Sequence, residues 1–151
     1  MALYTGVVWD GQKHKTRGLT RYLTLSRLSD NTGTQPDKRL WMPQNDDLYD
    51  VSYLPLAPFE KDVYSWYQGS LSWDNFAEKY LKRITEDERR FGFLLDLTRK
   101  AVEEDQHPDN KGIVLQCVCP DVKFCHRRLL ADEIKILALD RWGHNLKIKH
   151  I

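Results

Sequence analysis

The chain has 151 residues, with 23 Lys+Arg against 22 Asp+Glu and a formal charge of +1; hydrophobic residues make up 41% and charged residues 30%. That is the composition of a soluble globular domain, and it excludes a disordered, collagen-like or charge-coating chain. The near-zero total hides blocks of +4 (residues 1–29), −4 (30–62), −3 (63–110) and +4 (111–151). If the two basic ends meet in space, they make a local positive field suited to an anion; otherwise they balance the acidic middle. No apolar run approaches the roughly 20 residues of a membrane span, and the start lacks a signal-peptide core. Three cysteines, an odd number, argue against a secreted disulfide framework. The expectation is one domain over residues 1–151, cytoplasmic and without membrane contact.

In chain order, Leu3 to Val8 is short, apolar and β-branched, with Asp10-Gly11 as a turn signal. After a basic loop, Tyr22 to Ser26 reads as a second strand. Residues 30–50 are polar and turn-rich, long for a loop in a compact domain. Leu54-Pro55-Leu56-Ala57-Pro58 cannot be a central strand, because proline has no N–H for the ladder. Trp73, Phe76, Ala77, Tyr80, Leu81 and Ile84 form one helical stripe, with Ser72 placed to cap it. Thr85 and Glu88 have capping-box spacing for a following helix, whose apolar face would be Phe91, Leu94, Leu95, Thr98 and Val102. His107-Pro108-Asp109-Asn110 ends it. Gly112 to Cys117 is a nearly continuous apolar run, the mark of a buried parallel strand. A last helix runs from about Cys125 to Trp142, and Asn145 to Ile151 reads as a final strand. Helices between strands predict an α/β fold, a single compact domain with a mostly parallel sheet flanked by helices. Ligands of such sheets bind beyond the carboxyl ends of the strands.

The stretch Cys117-Val118-Cys119-Pro120-Asp121-Val122-Lys123-Phe124-Cys125-His126-Arg127-Arg128 lies at that edge. Cys125 in the first turn of the last helix would face unpaired N–H groups and the positive dipole end, which favour a thiolate or hold an anion. Arg127 offers a bidentate fork to a phosphate or carboxylate. A zinc site of Cys117, Cys119, Cys125 and His126 competes with this reading. Its spacing is poor if both Cys125 and His126 are helical, since neighbours then diverge by about 100°. Buried structural cysteines are the third reading. A phosphatase-type loop is excluded, because neither Cys117 nor Cys119 has an arginine six residues on. No Gly-rich phosphate loop, HExxH or GxSxG is present.

The aromatic run Tyr64, Trp66, Tyr67 and Trp73 has faces on which bases could stack, yet it lies in an acidic block, so a core or groove-wall role is expected. His14, His107 and His150 are expected to be solvated, and His144 gains interest only with zinc.

These residues resemble the proteins grouped as domain-of-unknown-function family 488. The resemblance rests on a strand ending in Leu115-Gln116-Cys117, followed by Cys125-His126-Arg127 opening a helix. Leu3-Tyr4-Thr5, Leu25-Ser26-Arg27, Leu56-Ala57-Pro58 and Ser72-Trp73 through Tyr80 agree in order. The chain departs from the family pattern at Leu28-Ser29-Asp30, where a proline is common, and at Cys119, where an acid is common. The resemblance implies a compact α/β fold with a polar site at the carboxyl edge, in proteins similar to intracellular enzymes; it implies no particular reaction.

Together these readings give a candidate site. Cys125, His126 and Cys117 are the catalytic candidates, with Cys125 as nucleophile and His126 as proton shuttle. Thr5, Ser26, Arg27, Arg127 and Arg128 are the substrate-binding candidates. The expected function is a thiol-dependent hydrolase or transferase acting on an anionic small molecule: a nucleotide, a nucleobase or a nucleic-acid component. A non-catalytic nucleotide or nucleic-acid binding module and a zinc-stabilised interaction domain are the alternatives. No cofactor is expected outside the zinc alternative.

Overall fold

The structure, a computed structural model, describes residues 3–8, 18–24, 49–107, 112–117 and 122–151. Five strands, β1 (Leu3–Val7), β2 (Thr20–Leu23), β3 (Val51–Ser52), β4 (Ile113–Cys117) and β5 (Ile148–His150), form one sheet in the order β3-β2-β4-β1-β5. Every pairing is parallel. The helices are α1 (Glu60–Tyr67), α2 (Trp73–Glu86), α3 (Glu88–Gln106) and α4 (His126–Trp142). The α/β expectation holds.

The most apolar strand takes the centre. All five residues of β4 are buried, because strands pair with it on both edges and the layers above and below close over it. β4 pairs with β1 from Leu3↔Ile113 to Val7↔Cys117 and with β2 from Thr20↔Ile113 to Leu23↔Gln116. The three strands therefore finish side by side. Past their last paired residues, Val8 N–H donates to Cys117 O and Thr24 N–H to Gln116 O, both at 3.0 Å. Helix α4 packs on β1, β4 and β5, with α2 and α3 behind it. Leu115, Leu130, Ala131, Ile134, Leu94, Leu97 and Ile84 are among the fully buried side chains of the shared core.

Helix ends follow local chemistry. Ser72 caps α2 as expected, accepting from Asn75 N–H at 3.2 Å. The capping box expected at Thr85 and Glu88 does not form. Asp87 caps α3 by accepting from Arg90 N–H at 3.0 Å, while Thr85 stays inside α2 and donates back to Leu81 O. A carboxylate next to the helix start outcompetes a hydroxyl already engaged in the preceding helix. The buried face of α3 also shifts, to Leu94, Leu97, Thr98, Ala101 and Val102, with Phe91 and Leu95 at its margin.

β2 begins at Thr20 rather than Tyr22, because Arg21 is no obstacle to a strand here. Asp50 accepts from its backbone N–H at 2.7 Å and from its guanidinium at 3.1 Å. Leu54–Leu56 is a single 3-10 turn, consistent with its prolines. Helix α1 was not foreseen, since only Val63 of its eight residues is buried and its apolar stripe is thin. The loop expected at residues 30–50 lies outside the described residues apart from Tyr49 and Asp50. Among the described residues, no helix is long and apolar enough to cross a membrane.

Candidate functional site

The carboxyl ends of β2 and β4 meet the start of α4, and there the chain gathers its reactive groups. Cys125 is the residue just before α4, with extended backbone angles (φ −137°, ψ 140°), and its side chain caps nothing. The expected position within the first helical turn is therefore off by one residue, and this matters for the geometry. Helical neighbours diverge, but an extended Cys125 turns its sulfur back toward His126. Cys125 Sγ lies 3.9 Å and Cys117 Sγ 3.8 Å from His126 Nδ1. Both cysteines are 3% exposed, and His126 is equally buried.

The proton on His126 can be assigned from its partners. Its Nε2 lies 2.7 Å from Thr24 O and 3.1 Å from Thr24 Oγ1. A carbonyl only accepts, and the Thr24 hydroxyl already donates to Gln116 O at 3.0 Å. Nε2 must therefore carry the hydrogen. In the neutral ring, Nδ1 is then a bare lone pair pointing at two thiols. Arg127, 2% exposed, donates from Nη1 to Cys125 Sγ at 3.4 Å and supplies positive charge next to that sulfur. The ring of His126 is held from the side by Tyr80 at 5.4 Å, edge to face. Burial pushes the Tyr80 phenol well above its usual range, and negative charge on Cys125 and Cys117 pushes it the same way. Tyr80 thus stays protonated and donates to Leu56 O at 2.7 Å.

An aromatic cluster includes Phe124, the residue before Cys125. Phe124 ends a 3-10 turn (Val122–Phe124) and packs on Trp73 at 5.7 Å and Trp66 at 6.1 Å; Trp66 and Trp73 touch at 5.5 Å. Trp66, Tyr67 and Trp73 are partly buried and pack against the core.

The sequence candidates divide in three ways. Cys117, Cys125, His126 and Arg127 converge. Thr5 and Arg128 do not join them: Thr5 is fully buried with Oγ1 2.6 Å from His150 Nδ1, while Arg128 donates to Lys123 O and pairs with Asp132 at the surface. Ser26, Arg27 and Cys119 lie outside the described residues. His150 is not simply solvated, given its contact with Thr5, and His144 pairs with Asp105. Two participants escaped the sequence reading, Thr24 and Tyr80. Thr24 had a usable signal, a hydroxyl residue where an apolar strand runs out. Tyr80 was hidden in a helical stripe that any core tyrosine would fit. Gln116 has a buried Oε1 with no hydrogen-bond partner among the described residues.

The same groups are also a ligand set for a soft metal, since Cys117 Sγ, Cys125 Sγ and a His126 nitrogen lie within 4.8 Å of one another. The divergence argument against zinc fails, because Cys125 is not helical. The fourth ligand considered, Cys119, is outside the described residues.

Comparison with known proteins follows the same lines. No curated protein matches the chain, and no solved structure does. A family model described as the "Active DUF488-N3 subclade" matches residues 10–137, well over half of the chain. The stretch matched runs through β2, β4 and most of α4, the elements that carry the thiols and His126, and the chain therefore belongs to domain-of-unknown-function family 488.

Proposed function

We propose that the protein is a thiol-dependent hydrolase or transferase acting on an anionic small molecule, a nucleotide, nucleobase or nucleic-acid component. One observation carries this reading: a bare His126 Nδ1 faces Cys125 Sγ, with Arg127 Nη1 on the same sulfur. His126 Nδ1 takes the Cys125 proton, and the resulting thiolate is stabilised by the Arg127 guanidinium. The imidazolium keeps its Nε2–H bond to Thr24 O. The thiolate attacks an electrophilic carbon of the substrate and forms a C–S bond. The leaving group departs with the proton from His126. Water or an acceptor, deprotonated by the same Nδ1, then breaks the C–S bond and restores the thiol. The backbone N–H groups at the start of α4, together with Arg127, form a setting suited to a negative charge. The description of the matched subclade as active agrees with a working site.

The test is a thermal-shift and intact-mass screen against nucleotides and nucleobases. A bound ligand raises the melting temperature by mass action. The expected result is a ligand that stabilises both the native protein and Cys125→Ser, with a covalent adduct or turnover only in the native protein. A ligand turned over equally by Cys125→Ser refutes the thiol role.

A second reading has its own observation, the convergence of Cys117, Cys125 and His126 Nδ1. Zinc–sulfur bonds of about 2.3 Å and zinc–nitrogen bonds of about 2.0 Å need only small side-chain movements from these positions. The Nε2–H bond to a backbone carbonyl is also the usual outer support of a metal-bound histidine. Near-stoichiometric zinc in the purified native protein, lost in Cys117→Ser, would establish it and displace the nucleophile.

A further inference from the structure

The second region of concentrated chemistry lies one turn along α2 from Tyr80. Arg83 donates from Nε to Ala57 O at 3.0 Å, and its guanidinium carbon sits over the Phe59 ring, 3.4 Å from the centroid. Phe59 is 53% exposed although it is a large aromatic. Two grooves run along its sides. One, of about 670 Å³, is lined by Lys61, Arg83, Arg89 and Arg90, with Glu60 as its acid. The other, of about 500 Å³, shares Phe59, Lys61 and Arg83 and adds Lys79 and Lys82, with Asp62 as its acid. Six cationic side chains thus surround one exposed ring. Two of them form ion pairs, Lys82 with Glu78 and Arg90 with Asp87, and Asp87 and Asp62 also act on Arg83. Even after those pairs the lining stays positive. Among the described residues, Arg83 Nη1 and Arg90 Nε are buried without a hydrogen-bond partner. Burial holds the Arg83 guanidinium below its usual range, and the like charge of Arg90 adds to this. An anion in the groove relieves that crowding.

From this juxtaposition we infer that the Phe59 surface is a binding site for single-stranded nucleic acid. Phosphates lie in the two grooves on Lys61, Lys79, Lys82, Arg89 and Arg90. A base stacks on the open face of Phe59, opposite Arg83, giving a guanidinium–ring–base sandwich. Strand-binding surfaces combine these two elements, a cationic track and an aromatic platform. A duplex keeps its bases stacked inside and offers none to the ring. The site goes beyond the Cys125 reading and does not depend on it, since none of its residues belongs to the thiol cluster.

Fluorescence anisotropy with labelled oligonucleotides of about 15 nucleotides, as single-stranded DNA, single-stranded RNA and duplex, tests it on the intact chain. A single strand should bind at low salt at least tenfold more tightly than the duplex. Its log K should fall against log salt with a slope of about −2 to −4, from three to six phosphate contacts. Phe59→Leu, which keeps apolar bulk beneath Arg83, should weaken binding about tenfold with little change in salt slope. Arg89→Gln, at an exposed position, should lower the slope by about 0.7. Lys135→Gln, at an exposed position on α4, should leave affinity unchanged. Equal affinity for duplex, or unchanged binding in Phe59→Leu, reduces the surface to a general polyanion site and overturns the inference. Absence of binding at about 50 mM salt overturns it outright. Failure to find thiol turnover leaves these binding results standing, so the two readings fail separately.

Discussion

Replacing Tyr80 with Phe removes one oxygen and leaves the ring against His126. The lost hydroxyl makes a 2.7 Å bond to Leu56 O, and Tyr80 is only 2% exposed, so water does not readily replace it. Removing the donor of a buried pair costs about 1–3 kcal/mol. For a domain of this size that is a drop in Tm of about 3–10 °C. The same change has a pH signature. The folded phenol ionises well above 10.0 while the unfolded one ionises near it, so the contribution is fully present below pH 10. As pH rises beyond that value, the unfolded chain loses its proton first and stability falls. Tyr53, pushed up to about 12 by burial and by Asp96, acts in the same direction, as does Tyr22. Urea melts of native and Tyr80→Phe protein between pH 7 and 11 measure both effects. Tyr80→Phe should be less stable at pH 7 and show a shallower alkaline decline. A loss below about 0.5 kcal/mol at pH 7, or an unchanged alkaline slope, would refute the buried-donor account.

Four further outcomes are expected. Leu115→Ala, at a fully buried position in the central strand, should cost about 2–5 kcal/mol in chemical denaturation, and a cost under 1 would place β4 elsewhere. Ser72→Ala should lose about 1 kcal/mol of stability, with Ser72→Asp retaining the cap; equal melts for Ala and native protein would remove the cap. Nitrogen NMR should show the neutral form of His126 with Nε2 as the protonated, pyrrole-type nitrogen and Nδ1 as pyridine-type; the reverse pattern contradicts the bond to Thr24 O. On the acid side, Asp87 is held below the usual carboxylate value of 3.8 chiefly by the Arg90 N–H, and Asp96 chiefly by Arg99. Their contributions are present above that value and are lost as pH falls through the depressed folded values. Asp87→Asn combined with Asp96→Asn should therefore flatten the acid limb of a stability–pH curve.

The fold is largely legible in the sequence, for reasons that differ by element. β4 announced itself because a strand buried on both faces needs a continuous apolar run. α2 did so because one stripe and one serine define a helix and its start. β2 starts two residues before the expected Tyr22 and takes in Arg21, whose charge is met by Asp50, 29 positions later. The cap of α3 falls on Asp87 rather than on Thr85, and only the geometry shows that Thr85 is still helical. Within the site, Cys117, Cys125, His126 and Arg127 could be listed from their chemistry, but their relation could not. Spacing arguments assumed that Cys125 was helical, and one extended residue reversed the conclusion.

Charge shows the same division. Counted along the chain, residues 63–110 are acidic, a setting hostile to phosphates. In space, Lys79, Lys82, Arg83, Arg89 and Arg90 come from that block and meet Lys61 around Phe59, while several of the acids pair within their own helices. A helix turns its residues outward in every direction, so the charge of a segment says little about the charge of a face. By itself, the sequence determined the parallel α/β class, the central strand, the principal helices and the identity of the reactive groups, because hydrophobic periodicity and side-chain chemistry are local properties. The tertiary structure alone decided which nitrogen of His126 faces the thiols, since that depends on Thr24 reaching across 102 residues of chain, and which cations share a surface.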